Sequence, residues 1–243
     1  MDNFDLLQAK NTLLLMVMTN FNKRWHTPLD VFKHYQKLVA DVGFEGIEKK
    51  PEYQRVRDAR SAAYFALVQS RMKEKPTFLR IPKQDPPDAY IMQPSPPDFD
   101  AAPVECTEYK SGSTETLLDQ LIRSKKLSSK YSQEYCLLIS IYENIDEQYK
   151  AVHEYASTNH VPFTIATLQV VQWSPDTIVR VVLLHPFFSQ EHTINVGEEA
   201  FHFREKYGVP NTVISKRAGS LERVRTQKSE TVITVAPWED LED

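Results

Sequence analysis

Two acidic residues, Asp88 and Glu105, stand beside or within apolar runs that are typical of β-strands. Asp88 directly precedes Ala-Tyr-Ile-Met, and Glu105 lies inside the run that ends at Tyr109. A charge inside an apolar strand is costly unless a partner compensates it. If the two strands pair as an antiparallel hairpin, the carboxylates approach each other and repel unless a cation lies between them. Such hard oxygen ligands suit Mg²⁺ or Mn²⁺, which promote phosphodiester hydrolysis.

Asp88 also has a purely structural interpretation. A Pro-Asp pair before a strand, as at Pro87-Asp88, is often only a turn. Side chains alternate along a strand, so Glu105, Thr107 and Tyr109 share one face of it. The metal hypothesis therefore requires that Asp88 meet that same face.

The spacing of these residues resembles the PD-(D/E)XK nuclease superfamily. Pro87-Asp88 is followed, after a loop, by Glu105-Cys106-Thr107, and the order from about 52 to 142 is helix, three strands, helix, strand. The resemblance implies a metal-dependent endonuclease in which Asp88 and Glu105 are metal ligands and catalytic residues. The superfamily places a lysine two residues after the glutamate, but this chain has Thr107 there.

Some branches of the superfamily carry the lysine on the following helix instead. The cap-snatching endonucleases of segmented negative-strand RNA viruses are one such branch, and Lys125-Lys126-Leu127 is similar to their lysine segment. This similarity makes Lys125 the candidate catalytic lysine. It also implies an upstream histidine and acid as further metal ligands, here His34 and Glu52, with Asp58 as the alternative acid.

The resemblance also implies contacts with a nucleic acid substrate, either DNA or RNA. Gln120 resembles a glutamine that some members aim at the site, and Lys110 and Lys126 are further candidates for substrate binding. Because Thr107 carries no positive charge, a second hypothesis is a catalytically inactive nuclease-fold protein that binds nucleic acid or serves as an assembly subunit. Such a subunit would belong to a replication, transposition or defence assembly. A third hypothesis is an α/β interaction protein without nuclease ancestry.

The surrounding elements predict an α/β fold with a central mixed sheet covered by helices and a restriction-endonuclease-like core. We predict a helical N-terminal segment at 1–50 and a nuclease-like core at 51–185. A C-terminal extension at 186–243 is expected to pack on this core, and its polar part, 216–228, is a candidate for a mobile segment. The proline-rich stretch 93–103 is predicted to be a loop.

Composition narrows the classes of protein to consider. The formal net charge is −4, which argues against coating nucleic acid through bulk charge. The longest strongly apolar run, Leu13 to Met18, has six residues, far fewer than the roughly 20 that span a membrane. Both cysteines, Cys106 and Cys136, lie in apolar runs, which favours buried thiols in a reducing, cytoplasmic compartment.

Overall fold

The computed structural model describes most of the chain. The residues that it describes are 25–82, 87–95, 98–109, 114–128, 134–173, 176–188, 190–208, 210–216, 221–226 and 230–234.

Six α-helices lie in the described ranges, together with a short 3₁₀ turn at Pro51–Tyr53. The helices are α1 (Pro28–Val42), α2 (Phe44–Lys49), α3 (Gln54–Lys73), α4 (Leu117–Arg123), α5 (Asp146–Thr158) and α6 (Val196–Tyr207). Helix α1 begins at a capping box, in which Thr27 and Asp30 satisfy each other's backbone N–H groups. Proline follows directly at the first helical position, where its missing N–H costs nothing.

Seven strands form one mixed sheet, in the order β1-β2-β3-β4-β5-β6-β7. They are β1 (Phe78–Arg80), β2 (Ala89–Ser95), β3 (Asp98–Glu108), β4 (Cys136–Ile141), β5 (Thr164–Gln172), β6 (Ile178–His185) and β7 (Gln190–Asn195). The β3–β4 and β4–β5 pairs are parallel, whereas the other pairs are antiparallel. The α/β fold class predicted from the sequence is thereby confirmed.

A smaller antiparallel sheet follows the large one. Its strands are β8 (Pro210–Lys216), β9 (Leu221–Thr226) and β10 (Glu230–Thr234), with β9 in the middle. Much of the predicted polar segment 216–228, namely 217–220 and 227–228, lies outside the described residues.

Helices cover both faces of the large sheet and bury two apolar clusters. On one face, α1, α3 and α6 pack against residues such as Val104 and Cys106 of β3. On the other face, α4 and α5 pack against Leu137 and Ile139 of β4, and Tyr109 joins this second cluster. The alternation expected along β3 is therefore confirmed for Val104, Cys106 and Tyr109.

The predicted loop at 93–103 differs from the structure, because most of it is β-strand. Strands β2 and β3 pair from Ala89↔Val104 out to Ser95↔Asp98, although Pro94 and Pro103 lie within them. The described pairing with β1 stops at Met92, and the pairing of β3 with β4 starts only at Val104. Each proline thus lies where its strand pairs with only one neighbouring strand. On the side without a neighbour, the missing N–H removes no inter-strand hydrogen bond.

The predicted segment boundaries can be compared with the observed helices and strands. Helices α1 and α2 lie within the predicted helical segment 1–50, of which 1–24 is outside the described residues. The predicted boundary at residue 185 lies between β6 and β7 of one sheet, and α6 contributes Phe203 to the main cluster. In the part of the chain that the structure describes, no helix is both long enough and apolar enough to cross a membrane.

Candidate functional site

Asp88 and Glu105 lie next to each other at the base of the β2–β3 hairpin. The register Ala89↔Val104 places Asp88, one residue before β2, beside Glu105 of β3. Residues opposite each other in such a pair have Cβ atoms about 5 Å apart. The backbone N–H of Cys106 donates a hydrogen bond of 2.7 Å to Asp88 Oδ2, which holds the aspartate at this position. The antiparallel pairing of β2 with β3 expected from the sequence is thus present.

A lysine from the turn after α4 contacts the buried glutamate. Lys126 Nζ lies 2.5 Å from Glu105 Oε1, and the Glu105 side chain is only 7% exposed. Lys125, the predicted catalytic lysine, is exposed to solvent. Of the two adjacent lysines, the structure therefore brings Lys126, predicted only as a substrate contact, to Glu105.

The end of helix α4 explains which lysine faces the sheet. The N–H of Lys126 bonds to the Leu121 carbonyl and the N–H of Lys125 to the Ile122 carbonyl, a Schellman pattern. Lys125 takes the left-handed conformation that this ending requires, with φ of 58°. Glycine is the usual residue there, so the chain offers no sequence signal for the turn that directs Lys126 toward β3.

A third carboxyl group, that of Asp58 on α3, lies near Asp88. Burial, the largest cause, and the negative charge of Asp88 together raise the pKa of Asp58 from 3.8 to about 7. Gln54 Nε2 donates a hydrogen bond of 2.9 Å to Asp58 Oδ1. The Cys106 thiol lies 3.7 Å from the Asp58 carbonyl oxygen and packs this turn of α3 against β3. Of the two first-helix acids considered from the sequence, Asp58 is the one near Asp88.

The other two predicted ligands lie elsewhere in the structure. Glu52 is exposed in the 3₁₀ turn, and His34 Nδ1 lies 2.7 Å from the Asp30 carbonyl oxygen within α1. Among the described residues there is no group of three or more His, Cys, Asp or Glu side chains placed to hold a metal ion. The structure therefore does not gather Asp88, Glu105, Glu52 and His34 into one four-ligand site.

The donors that remain for a hard cation are the carboxylates of Asp88 and Glu105. Mg²⁺ is usually bound by one or two carboxylates, with water and substrate phosphates completing its shell. Asp88 and Glu105 supply two carboxylates from adjacent strands. The influence of Asp88 on the pKa of Asp58 reflects mutual repulsion of carboxylates, which a bound cation would relieve.

Arg57 fixes the strand that carries Glu105, a role that the sequence did not predict. Its guanidinium donates to Glu108 Oε1 at 3.1 Å, to the Ile47 carbonyl at 2.7 Å and to the Lys50 carbonyl at 3.0 Å. Tyr142 Oη also donates to Glu108, at 3.3 Å. Arg57 is buried and so links the end of α2 to the end of β3. An arginine within a long helix gives no sequence signal for this role.

Beside the carboxylates, a cleft of about 170 Å³ opens between the end of β3 and helix α4. Thr107 and Gln120 lie on its wall, so the predicted substrate-binding glutamine lines this cleft. Lys110, the other predicted substrate contact, lies outside the described residues.

Comparisons of the chain with protein-family models, with curated proteins and with solved structures found no match. The functional argument therefore depends on the residues themselves and their geometry.

Proposed function

We propose that this chain is a divalent-metal-dependent nuclease of the PD-(D/E)XK type, which hydrolyses phosphodiester bonds in DNA or RNA with Mg²⁺ or Mn²⁺. The observation that carries the proposal is the buried Glu105, which lies beside Asp88 across a strand pair and contacts Lys126. A buried glutamate with an acidic neighbour and a lysine partner has no role in apolar packing. Two acids beside a lysine are residue types that metal-assisted hydrolases use.

The order of elements supports the proposal. Helix α3 is followed by β1, β2 and β3, then by α4 and β4. This is the helix, three-strand, helix, strand order that the sequence resemblance implies. Asp88 precedes the second strand and Glu105 lies in the third, as the resemblance requires.

In this proposal Asp88 and Glu105 hold the metal through their carboxylates. When bound, the cation would lower the pKa of a water ligand and neutralise charge on the phosphate. The Lys126 ammonium would stabilise negative charge that develops on the phosphate oxygens. Asp58, whose pKa is about 7, changes protonation near neutral pH, so its deprotonation and cation binding favour each other.

Two measurements test the proposal. Mn²⁺ should raise the melting temperature of the wild-type protein, because a ligand that binds only the folded state stabilises it. Asp88→Asn and Glu105→Gln should each remove that shift. Single-stranded and duplex DNA and RNA are then incubated with Mn²⁺, and cleavage is followed on a gel.

The adjacent lysines provide a matched pair of variants. Lys126→Ala should lower the cleavage rate by about 100-fold or more, the usual effect of removing one group that stabilises transition-state charge. Lys125→Ala, at the exposed neighbour, should cleave at nearly the wild-type rate. Absence of both the Mn²⁺ shift and cleavage in the wild type would refute the proposal.

One observation favours the inactive alternative. Glu105 already has a cationic partner within the chain, Lys126, and a lysine can take the place of a metal ion in a fold that has lost catalysis. The chain would then be a nucleic-acid-binding or assembly subunit, for example in a replication, transposition or defence complex. Nucleic acid binding without a Mn²⁺ shift or cleavage would support this alternative. Under either hypothesis the two buried free cysteines fit a cytoplasmic protein.

A further inference from the structure

The cleft beside the carboxylates has an apolar floor and a polar rim. The floor is formed by Tyr109, Leu117, Leu121 and Ile139, which are at most 6% exposed, so only small parts of these side chains face the cleft. Polar side chains on the rim include those of Thr107, Gln120 and Ser124. A flat ring with hydrogen-bonding edges matches this combination, because its faces contact the floor while its edges meet the rim.

The size of the cleft limits what can enter it. Pockets that enclose a drug-sized molecule usually measure about 300–1,000 Å³, whereas this cleft measures about 170 Å³. One nucleobase is of suitable size, but a base pair is too large. The Gln120 amide carries both donors and an acceptor, whereas the Ser124 hydroxyl donates to the Gln120 backbone carbonyl at 2.8 Å and keeps its acceptor sites, so the rim can meet the mixed edge of a base.

The charges at the cleft argue against a phosphate as its occupant. Glu108 lies on its wall and is already paired with Arg57 at 3.1 Å, so it adds no cation that a phosphate could meet. Arg123, also on the wall, is paired with Glu115 at 2.7 Å. The cleft is therefore suited to an uncharged group of the substrate.

The position of the cleft relative to Glu105 fits one nucleotide. Glu105 and Thr107 lie on the same face of β3, two residues apart, which is about 7 Å along a strand. Only a sugar separates a phosphate from its base. A phosphate held at Asp88 and Glu105 thus brings the adjacent base to the Thr107 end of the cleft.

We propose that this cleft receives one unpaired base, so that the substrate is single-stranded or locally unpaired DNA or RNA. The inference rests on the proposed nuclease function. A base can reach an apolar floor only after it leaves its stack and its pairing partner, which costs least in a single strand. Because the net charge is −4, bulk attraction of the substrate phosphates contributes little affinity. Contact with the base would supply affinity in its place.

The test uses a short fluorescein-labelled oligonucleotide, as RNA and as DNA, single-stranded or annealed to its complement. Fluorescence anisotropy in EDTA measures binding without metal, and cleavage is measured separately with Mn²⁺. We expect the single strand to bind at least about tenfold more tightly than the duplex. Replacing each base in turn by an abasic site should identify a position with the largest loss of affinity.

A variant that fills the mouth of the cleft locates the base. Ser124 is exposed on the rim, so Ser124→Tyr blocks the cleft without altering the core. It should weaken single-strand binding at least about tenfold. Ser157→Tyr, in the exposed last turn of α5, is the matched control and should bind like the wild type.

The possible failures of the two proposals are distinguishable. If the wild type shows the Mn²⁺ shift and cuts duplex as fast as single strand, the nuclease stands and the base cleft is refuted. Unchanged binding by Ser124→Tyr, or equal losses at all abasic positions, would also refute it. A missing Mn²⁺ shift together with absent cleavage instead refutes the nuclease proposal, on which the base cleft rests.

Discussion

The buried carboxyl group of Asp58 should make the stability of this protein fall as the pH rises. Burial, with the nearby charge of Asp88, raises the pKa of Asp58 from 3.8 to about 7. Between these values the folded protein keeps a proton that the unfolded chain has lost, so the free energy of unfolding decreases with increasing pH. From pH 5 to pH 7 the decrease is about 2 kcal/mol, because Asp58 is only half ionised at pH 7, and by pH 8 it approaches about 3 kcal/mol.

The variant Asp58→Asn removes this dependence. Asparagine keeps an oxygen that can accept the hydrogen bond from Gln54 Nε2, but it cannot ionise. We therefore expect the variant to be more stable than the wild type at pH 8, by about 3 kcal/mol more than at pH 5. Other titrating groups are common to both proteins, so they largely cancel in the difference.

Urea unfolding at pH 5, 6, 7 and 8, in EDTA so that no cation binds, measures this difference. The same substitution at the exposed Asp41 is the control for removing one negative charge. If the difference between wild type and Asp58→Asn is the same at pH 5 and at pH 8, burial does not control this carboxyl group and the reasoning is wrong.

Three further outcomes are expected. In urea unfolding, Lys126→Met should lower the free energy of unfolding by about 2–3 kcal/mol, because it leaves the Glu105 charge buried without its partner. The double variant with Glu105→Gln should recover most of the lost stability. Arg57→Lys should cost about 2–4 kcal/mol in the same assay, since one ammonium cannot reach all the acceptors of the guanidinium; equal stability would contradict the network. Cys106 and Cys136 are buried, and burial raises the pKa of both thiols, that of Cys136 to about 12. A thiol-specific aromatic disulfide should therefore label them only after unfolding. Prompt labelling of the native protein would refute this.

Much of the large sheet could be predicted from hydrophobic patterning. The run at 136–141 is apolar at nearly every position, and it became β4, which is buried on both faces. Strand β7 was not predicted, because it is polar at the edge of the sheet and only Ile194 among its residues is buried. An edge strand with one buried side chain lacks the alternation on which prediction depends.

The candidate site was predictable only as far as local sequence determines it. The antiparallel pairing of the strands beside Asp88 and around Glu105 followed from two apolar runs with a turn between them, and the structure confirms that pairing. The joint action of the two carboxylates stays a prediction. The choice between Lys125 and Lys126 depended on a left-handed residue after α4, which a lysine does not signal. The importance of Asp58 depended on how deeply α3 is buried, a tertiary property. The metal itself remains a prediction.

The two prolines of the β2–β3 hairpin have a consequence for how this chain could vary. Beyond Met92 and before Val104, the described ladder holds these strands only to each other. Insertions or deletions in that distal ribbon would change its reach while leaving the register at Asp88 and Glu105 intact. The fold thus separates a stretch that tolerates changes in length from the few residues whose spacing must be kept.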